Sequence, residues 1–445
     1  MSSSGSVLPD DVRGPVTLVR RRAALLALAL AAPLAACATA EAGPPTLLWY
    51  INPDSGGQAR IAAQCTQESD GAYRLQTALL PRDSPSQREQ LVRRLAAGDG
   101  SIDLMSIDPP FIPEFANADF LAPVPDDVAQ AVTQDVAEGA VAGASFDDEL
   151  VTVPFWANTQ LLWYRRSVAE AAGLDMSQPV TWDQVVEAAA SQDVTVAVQG
   201  VRAESLTVWV NALVESAGGH ILENPEEQDP QEVVPSLDSD AGRVAAQIMA
   251  DLAAAGVGGA QLSNANEDIN ASMFEGSSAG FMVNWPFVWP RAQAAVEGGS
   301  LEQSALDDIG WAMYPQAVAG EQARPPYGGI NLGVGAFSDH VDLAFEAAQC
   351  IADPQKQAEY FLSDGNPPAS LTAFDDPEVQ DTFPMADVIR ESLQNAAPRP
   401  QTPFYNEVSS SVQRTWHPPG AASPETSPRR ADQLIADVLQ GRALL

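Results

Sequence analysis

Between residues 46 and 108 the chain alternates twice between strand and helix patterns and closes on a third strand, and this order narrows its fold most. Thr46-Leu-Leu-Trp-Tyr-Ile51 is an apolar run of strand length, and the loop after it, 52–57, is rich in turn formers. A helical pattern follows through Glu68, and Tyr73 to Leu80 alternates as a second strand. Ser86 to Ala97 is amphipathic with Gly98 placed as its C-cap, and Ile102 to Asp108 reads as the third strand. Strands separated by helices predict an α/β fold with a parallel sheet, whose ligands lie outside the carboxyl ends of the strands. Both the 52–57 loop and Asp108 fall there. Asp108 precedes Pro109-Pro110, so its carboxylate either caps the following turn or faces a ligand.

The next constraint is Val153-Pro-Phe-Trp-Ala-Asn-Thr-Gln-Leu-Leu-Trp-Tyr164, which reads as one buried strand running into a helix near Val168. Asn158 inside it needs a partner, because an unpaired buried amide costs about 1–3 kcal/mol. It is satisfied either by backbone or by a polar ligand at a crossing between two lobes. Further on, Thr181 is placed to cap a helix, Ser205 to Ser216 and Ala241 to Ala255 are helical, and residues 223–238 form an acidic loop. A helix over 266–274 leads to a strand over 280–285. Gly276-Ser-Ser-Ala-Gly280 matches a nucleophile motif, but that motif needs a strand before it and a helix after it, the reverse of what stands here. The three histidines have no metal-ligand spacing, so neither a metal nor a cofactor is expected. Tyr327 to Gly335 is a glycine-punctuated strand, where Gly328 and Gly329 mark a bend or the close approach of a ligand. Arg399 stands between two prolines and cannot lie on a helix surface; its fork holds either a structural partner or a polar ligand.

The composition removes one class of partner. With 59 acidic against 23 basic side chains and a formal charge of −36, the chain is a poor candidate for nucleic acid. At the N-terminus, Arg20-Arg21-Arg22, an apolar segment from Ala23 to Pro33 and Leu34-Ala-Ala-Cys37 have the order of an export signal over residues 1–36. The apolar run is too short to span a bilayer of ~30 Å. Leu34-Ala-Ala-Cys37 resembles the lipobox of bacterial lipoproteins, the alternative being an ordinary signal peptide with an incidental cysteine. The resemblance implies Cys37 as the lipidated first residue, 37–45 as a tether, and a place on the extracytoplasmic face of the plasma membrane, reached by the general or the twin-arginine route. Cys65 and Cys350 then remain, either as a disulfide or as two buried thiols.

The lipobox-like signal, the 153–164 strand, Met273-Phe-Glu-Gly276 with Gly280-Phe-Met282, and Tyr327-Gly-Gly-Ile-Asn-Leu-Gly-Val334 together resemble the family 1 extracellular solute-binding proteins of bacterial ABC importers. The resemblance implies a two-lobed, periplasmic-binding-protein-like α/β fold with three interlobe crossings, at 153–164, 327–333 and 363–372. The lobes would then be 46–157 with 330–366, and 158–329 with 367–445. It implies a monomer that closes on a small-molecule sugar by hinge movement and delivers it to ABC permease subunits. Trp49 to Asp54, Asn284 to Trp289 and Arg399 to Tyr405 are similar to trehalose-binding lipoproteins of mycobacterial importers. By that likeness Asp108, Asn158, Glu267, Trp285 and Arg399 are sugar contacts, and Gly329 joins them as the point of close approach. The chemistry suits a sugar: carboxylates accept hydroxyl hydrogens, the guanidinium donates, and an indole face covers C–H groups. Another sugar or a glycerol-linked sugar phosphate is the alternative ligand. A secreted glycoside hydrolase is the alternative class, requiring two carboxylates about 5–9 Å apart.

Overall fold

The computed structural model describes residues 43–445. The export signal and Cys37 lie outside them. No helix among the described residues is long and apolar enough to cross a membrane.

The first lobe is built on the strands read between residues 46 and 108. Strands β1 (Thr46–Ile51), β2 (Arg74–Leu79) and β3 (Leu104–Ile107) lie parallel, with β1 in the middle. Leu47, Trp49 and Ile51 of β1 point into one apolar cluster with Phe155, Leu332 and Tyr360, while Tyr50 points to the other face with Met105, Ile107 and Phe115. The period-2 alternation of a strand thus serves two cores, as a sheet covered by helices on both faces requires.

The stretch 153–164 is divided. Strand β4 (Val153–Thr159) joins the first sheet and β5 (Leu161–Arg165) joins the second, so the chain changes sheets at Gln160. One continuous strand was expected here. Every residue of both strands is buried, so hydropathy alone has no mark at which to break the run.

The second sheet places β5 between two antiparallel neighbours, then adds β6 (Thr195–Ala197), β7 (Ala279–Asn284) and β8 (Ile309–Ala312) in the order β8-β5-β7-β6. Trp163, fully buried, donates its indole N–H to the Asn284 carbonyl at 2.9 Å and fastens β5 to the end of β7. Strand β9 (Tyr327–Val334) then returns to the first sheet between β3 and β4, completing the order β2-β1-β3-β9-β4. It runs antiparallel to both neighbours, so the sheet is mixed rather than parallel throughout. The parallel rule applies to strands joined by crossover helices, and β9 arrives instead from the other lobe.

The Cys65 and Cys350 sulfurs are bonded, tying the helix Gly57–Glu68 to the helix Val341–Ile351 across 285 residues of sequence. The serine motif at 276–280 lies between the helix Glu267–Glu275 and β7, where the Ser278 hydroxyl donates to the Met273 carbonyl at 2.9 Å. It closes a helix and has no nucleophile geometry.

Candidate functional site

Asp108 follows the last residue of β3, at the carboxyl edge of the first sheet. Its backbone is extended, and its side chain caps nothing. Pro109 and Pro110 explain this: the turn that begins there has no N–H at its first two positions for a carboxylate to receive. The carboxylate is directed instead at Arg399, whose Nη2 donates to Oδ1 at 2.5 Å and Nη1 to Oδ2 at 3.2 Å. Such a fork-on-carboxylate pair is the strong, orientation-specific kind.

Arg399 is held from behind. The flanking Pro398 carbonyl accepts from Asn211 Nδ2 at 3.0 Å, and the Arg399 carbonyl accepts from Gln401 Nε2 at 3.0 Å. The guanidinium also lies 5.8 Å from the Tyr405 ring centre. Its Nη1 makes a second ion pair, 2.8 Å from Oε1 of Glu204, the first residue of the helix Glu204–Ser216. Glu204 Oε1 further accepts from the Tyr405 hydroxyl, and Oε2 accepts from Ser409 Oγ at 2.7 Å. Tyr405 in turn sets its ring edge-on to Phe111, 5.3 Å between centres. The group therefore joins the rim of the first sheet to helices of the second lobe.

One guanidinium shared by two carboxylates has electrostatic consequences. Side-chain exposure is 4% for Arg399, 11% for Asp108 and 15% for Glu204. Burial works against the Arg399 charge, but Asp108, Tyr405 and Glu204 more than offset it and its pKa rises. Glu204 is pushed the other way: burial raises its carboxyl pKa, and Arg399, already matched to Asp108, only partly opposes this. Beside them, the buried Tyr327 hydroxyl has no protein partner; burial and the Asp108 charge both raise its pKa.

Glu267 and Trp285 come from consecutive elements of the second lobe and are clipped together by Asn284. The Asn284 Nδ2 donates to the Glu267 carbonyl at 3.0 Å, and its Oδ1 accepts the Trp285 N–H at 2.9 Å. Desolvation raises the Glu267 carboxyl pKa, with Asp268 and Glu204 adding to the rise. Its own backbone N–H and the Trp285 side chain, near enough to donate, pull it down. Trp285 stays half-buried with its outer ring over β9: a Cβ on Gly328 would meet its Cη2 at 3.1 Å and Cζ3 at 3.2 Å. Glycine at 328 thus admits the indole to the lobe junction.

Two of the expected contacts take different roles. Asn158 lies opposite Gly328 in the β4–β9 pair, but its Oδ1 accepts the N–H of Thr159 at 3.0 Å, and this is the one hydrogen bond of its side chain within the protein. Its amide is bound to neighbouring backbone, so Asn158 does not centre the group; Arg399 does. Where a strand ends and the chain changes sheets, a short amide side chain is well placed to take the next N–H itself. Gly329, at φ 130°, would place a Cβ 2.2 Å from the Trp156 carbonyl oxygen. The close approach that requires glycine there is that of β4 backbone.

Glu204, Tyr405 and Ser409 escaped the sequence reading. An acidic residue in the first turn of a helix reads as a complement to the helix dipole, and Glu204 carries no further local mark.

The description "bacterial extracellular solute-binding protein" belongs to a family model that matches residues 79–358. Maltose-bound MalE3 of T. maritima is similar in structure, with a TM-score of 0.76 at 23% identity over 89% of this chain and 100% of that one. The GacH receptor of Streptomyces glaucescens is similar at a TM-score of 0.72 and 18% identity, over 90% and 98% of the two chains. The sugar-binding protein MalE from Xanthomonas citri reaches 0.74 at 18% identity, over 89% and 98%.

Proposed function

Because the chain belongs to the bacterial extracellular solute-binding proteins, a family of binding proteins and not of enzymes, we propose that its interlobe cleft takes up a disaccharide, with trehalose as the first candidate. The carrying observation is the composition of the two walls. Asp108 and Arg399 present a carboxylate and a guanidinium where the first lobe meets the second, and Glu267 with Trp285 presents a carboxylate beside a half-buried indole. Acceptors, donors and an aromatic surface in one cleft are the set that a sugar's hydroxyls and C–H faces need. Solved proteins of similar fold hold such ligands: one is bound with maltose, another with α-D-tagatose.

In this reading the protein is a monomer that closes its lobes on the sugar and hands it to the permease of an ABC importer. It is held to the outer face of the membrane by lipid on Cys37. A thermal-shift panel of trehalose, maltose, other disaccharides and glycerol-linked sugar phosphates, followed by calorimetry on the hits, tests the ligand. A ligand at 100 times its Kd stabilises by about 2.7 kcal/mol, and no response to any sugar would refute the reading. Release of free glucose from trehalose or maltose by the purified protein would refute it as well. Lipid on Cys37 is tested by metabolic labelling with a fatty acid, which Cys37→Ala should abolish.

A further inference from the structure

We propose that Glu204 sets the charge of the ligand: by occupying Arg399 from behind, it makes the cleft accept uncharged sugars and reject phosphorylated or carboxylated ones. The proposal rests on the cleft being the sugar site and adds a selection rule to it.

A buried arginine in a ligand cleft is ordinarily the residue that seizes an anion, because its planar fork matches phosphate and carboxylate. Here the fork is already engaged. Both hydrogens of Nη1 are used, one by Asp108 Oδ2 and one by Glu204 Oε1, and one of the two on Nη2 goes to Asp108 Oδ1. The Nε–H is buried without a protein partner. The remaining Nη2 hydrogen suffices for a sugar hydroxyl, whereas a bidentate anion would have either to displace Asp108 or to take the Nε–Nη2 edge, whose Nε–H is buried.

The charge around the fork points the same way. Asp108, Glu204 and Glu267 feel one another's neighbourhood, and Arg399 is the one cation paired with any of them among the described residues. Asp268, next to Glu267, is held by Arg291, which also bonds Glu275. A phosphate would therefore enter a set of three carboxylates and a guanidinium that two of them already share. A neutral sugar meets no such repulsion.

Glu204 spends three of its carboxylate's roughly four acceptor sites inside the protein. Oε1 takes Arg399 and Tyr405, and Oε2 takes Ser409. It acts through Arg399 and is a positioning residue. Glutamine there keeps the shape and an acceptor for Tyr405, while removing the charge that neutralises the guanidinium.

The test compares calorimetric affinities for trehalose and trehalose 6-phosphate, and for maltose and maltose 6′-phosphate, in the full protein and in Glu204→Gln. The wild type should bind the neutral member at least 100-fold more tightly than its phosphate. Glu204→Gln should narrow that ratio by 10-fold or more, with phosphate binding that weakens as salt is raised. Glu204→Asp, which keeps the charge, should restore the wide ratio. Equal affinity for neutral and phosphorylated sugar in the wild type overturns the proposal and leaves the sugar site standing. A Glu204→Gln protein in which both affinities fall together also overturns it, since Glu204 would then serve shape alone. Binding of none of the four, together with no response to any sugar of the thermal-shift panel, removes both the site and the rule.

Discussion

Removing Arg399 should cost the fold more than removing either of the acids it holds, and the excess should disappear on acidification. In Arg399→Met the Asp108 and Glu204 side chains, 11% and 15% exposed, lose their shared cation and face each other across the space it filled. Breaking a buried ion pair from one side costs about 3–5 kcal/mol, because a desolvated charge is left uncompensated. Asp108→Asn leaves the guanidinium still bonded to Glu204 at 2.8 Å, so no buried charge is abandoned and the loss is that of charge-assisted hydrogen bonds, about 1.5–3 kcal/mol. In the Arg399 variant, burial and the Asp108 charge raise the Glu204 carboxyl pKa with no guanidinium to oppose them. A raised folded-state value means stability that is present at low pH and lost as pH rises through it, by up to about 1.4 kcal/mol per pH unit for each proton. The penalty for Arg399→Met should therefore be largest at pH 7.5 and shrink towards pH 5. Urea denaturation followed by tryptophan fluorescence, with each variant referred to wild type at the same pH, measures it. An Arg399→Met penalty no greater than that of Asp108→Asn at pH 7.5, or one unchanged at pH 5, refutes the shared-cation account.

Three further outcomes follow from the same geometry. Trp285→Ala should weaken binding of the cognate sugar by roughly 2–4 kcal/mol, as loss of an aromatic anchor does, and unchanged calorimetric affinity would count against it. Glu267 has its carboxyl pKa raised, chiefly by desolvation, so its charge opposes the unliganded fold and stability should fall as pH climbs above the ordinary glutamate range. Glu267→Gln should flatten that part of the Tm–pH profile, and an unaltered profile would show that Glu267 is solvated. Replacing both Cys65 and Cys350 by alanine opens a cross-link spanning 285 residues, for which the chain-entropy relation gives an upper figure of about 5–6 kcal/mol. A loss of several kcal/mol in urea is expected, and one below about 1 kcal/mol would place the bridge outside the stabilising structure.

The secondary elements were legible because their causes are local. Thr181 caps its helix through a capping box with Gln184, and Asn266 caps the helix Glu267–Glu275. Strand β1 spans the same residues that its apolar run marks. The loop before Arg399 and the prolines around it likewise showed that this arginine had to serve a tertiary purpose. The division of residues 153–164 at Gln160 was hidden, because both halves are equally buried and only their partner strands differ.

The site was half legible for the same reason. Asp108 could be singled out by its setting, a carboxylate ahead of two prolines, and Trp285 by the resemblance of residues 284–289 to sugar-binding lipoproteins. What each side chain does was decided by residues far away in sequence. Asp108 meets Arg399 across 291 positions, and Glu204 meets it across 195. No periodicity carries information over such separations. Asn158 shows the converse, since the one hydrogen bond of its side chain within the protein is to its own neighbour. The sequence by itself determined the order of strands and helices and where their capped ends lie, because these depend on propensity and pattern within a few residues. Only the tertiary structure decided that a single buried guanidinium stands between two carboxylates from separate parts of the chain, because charge pairing depends on distance in space.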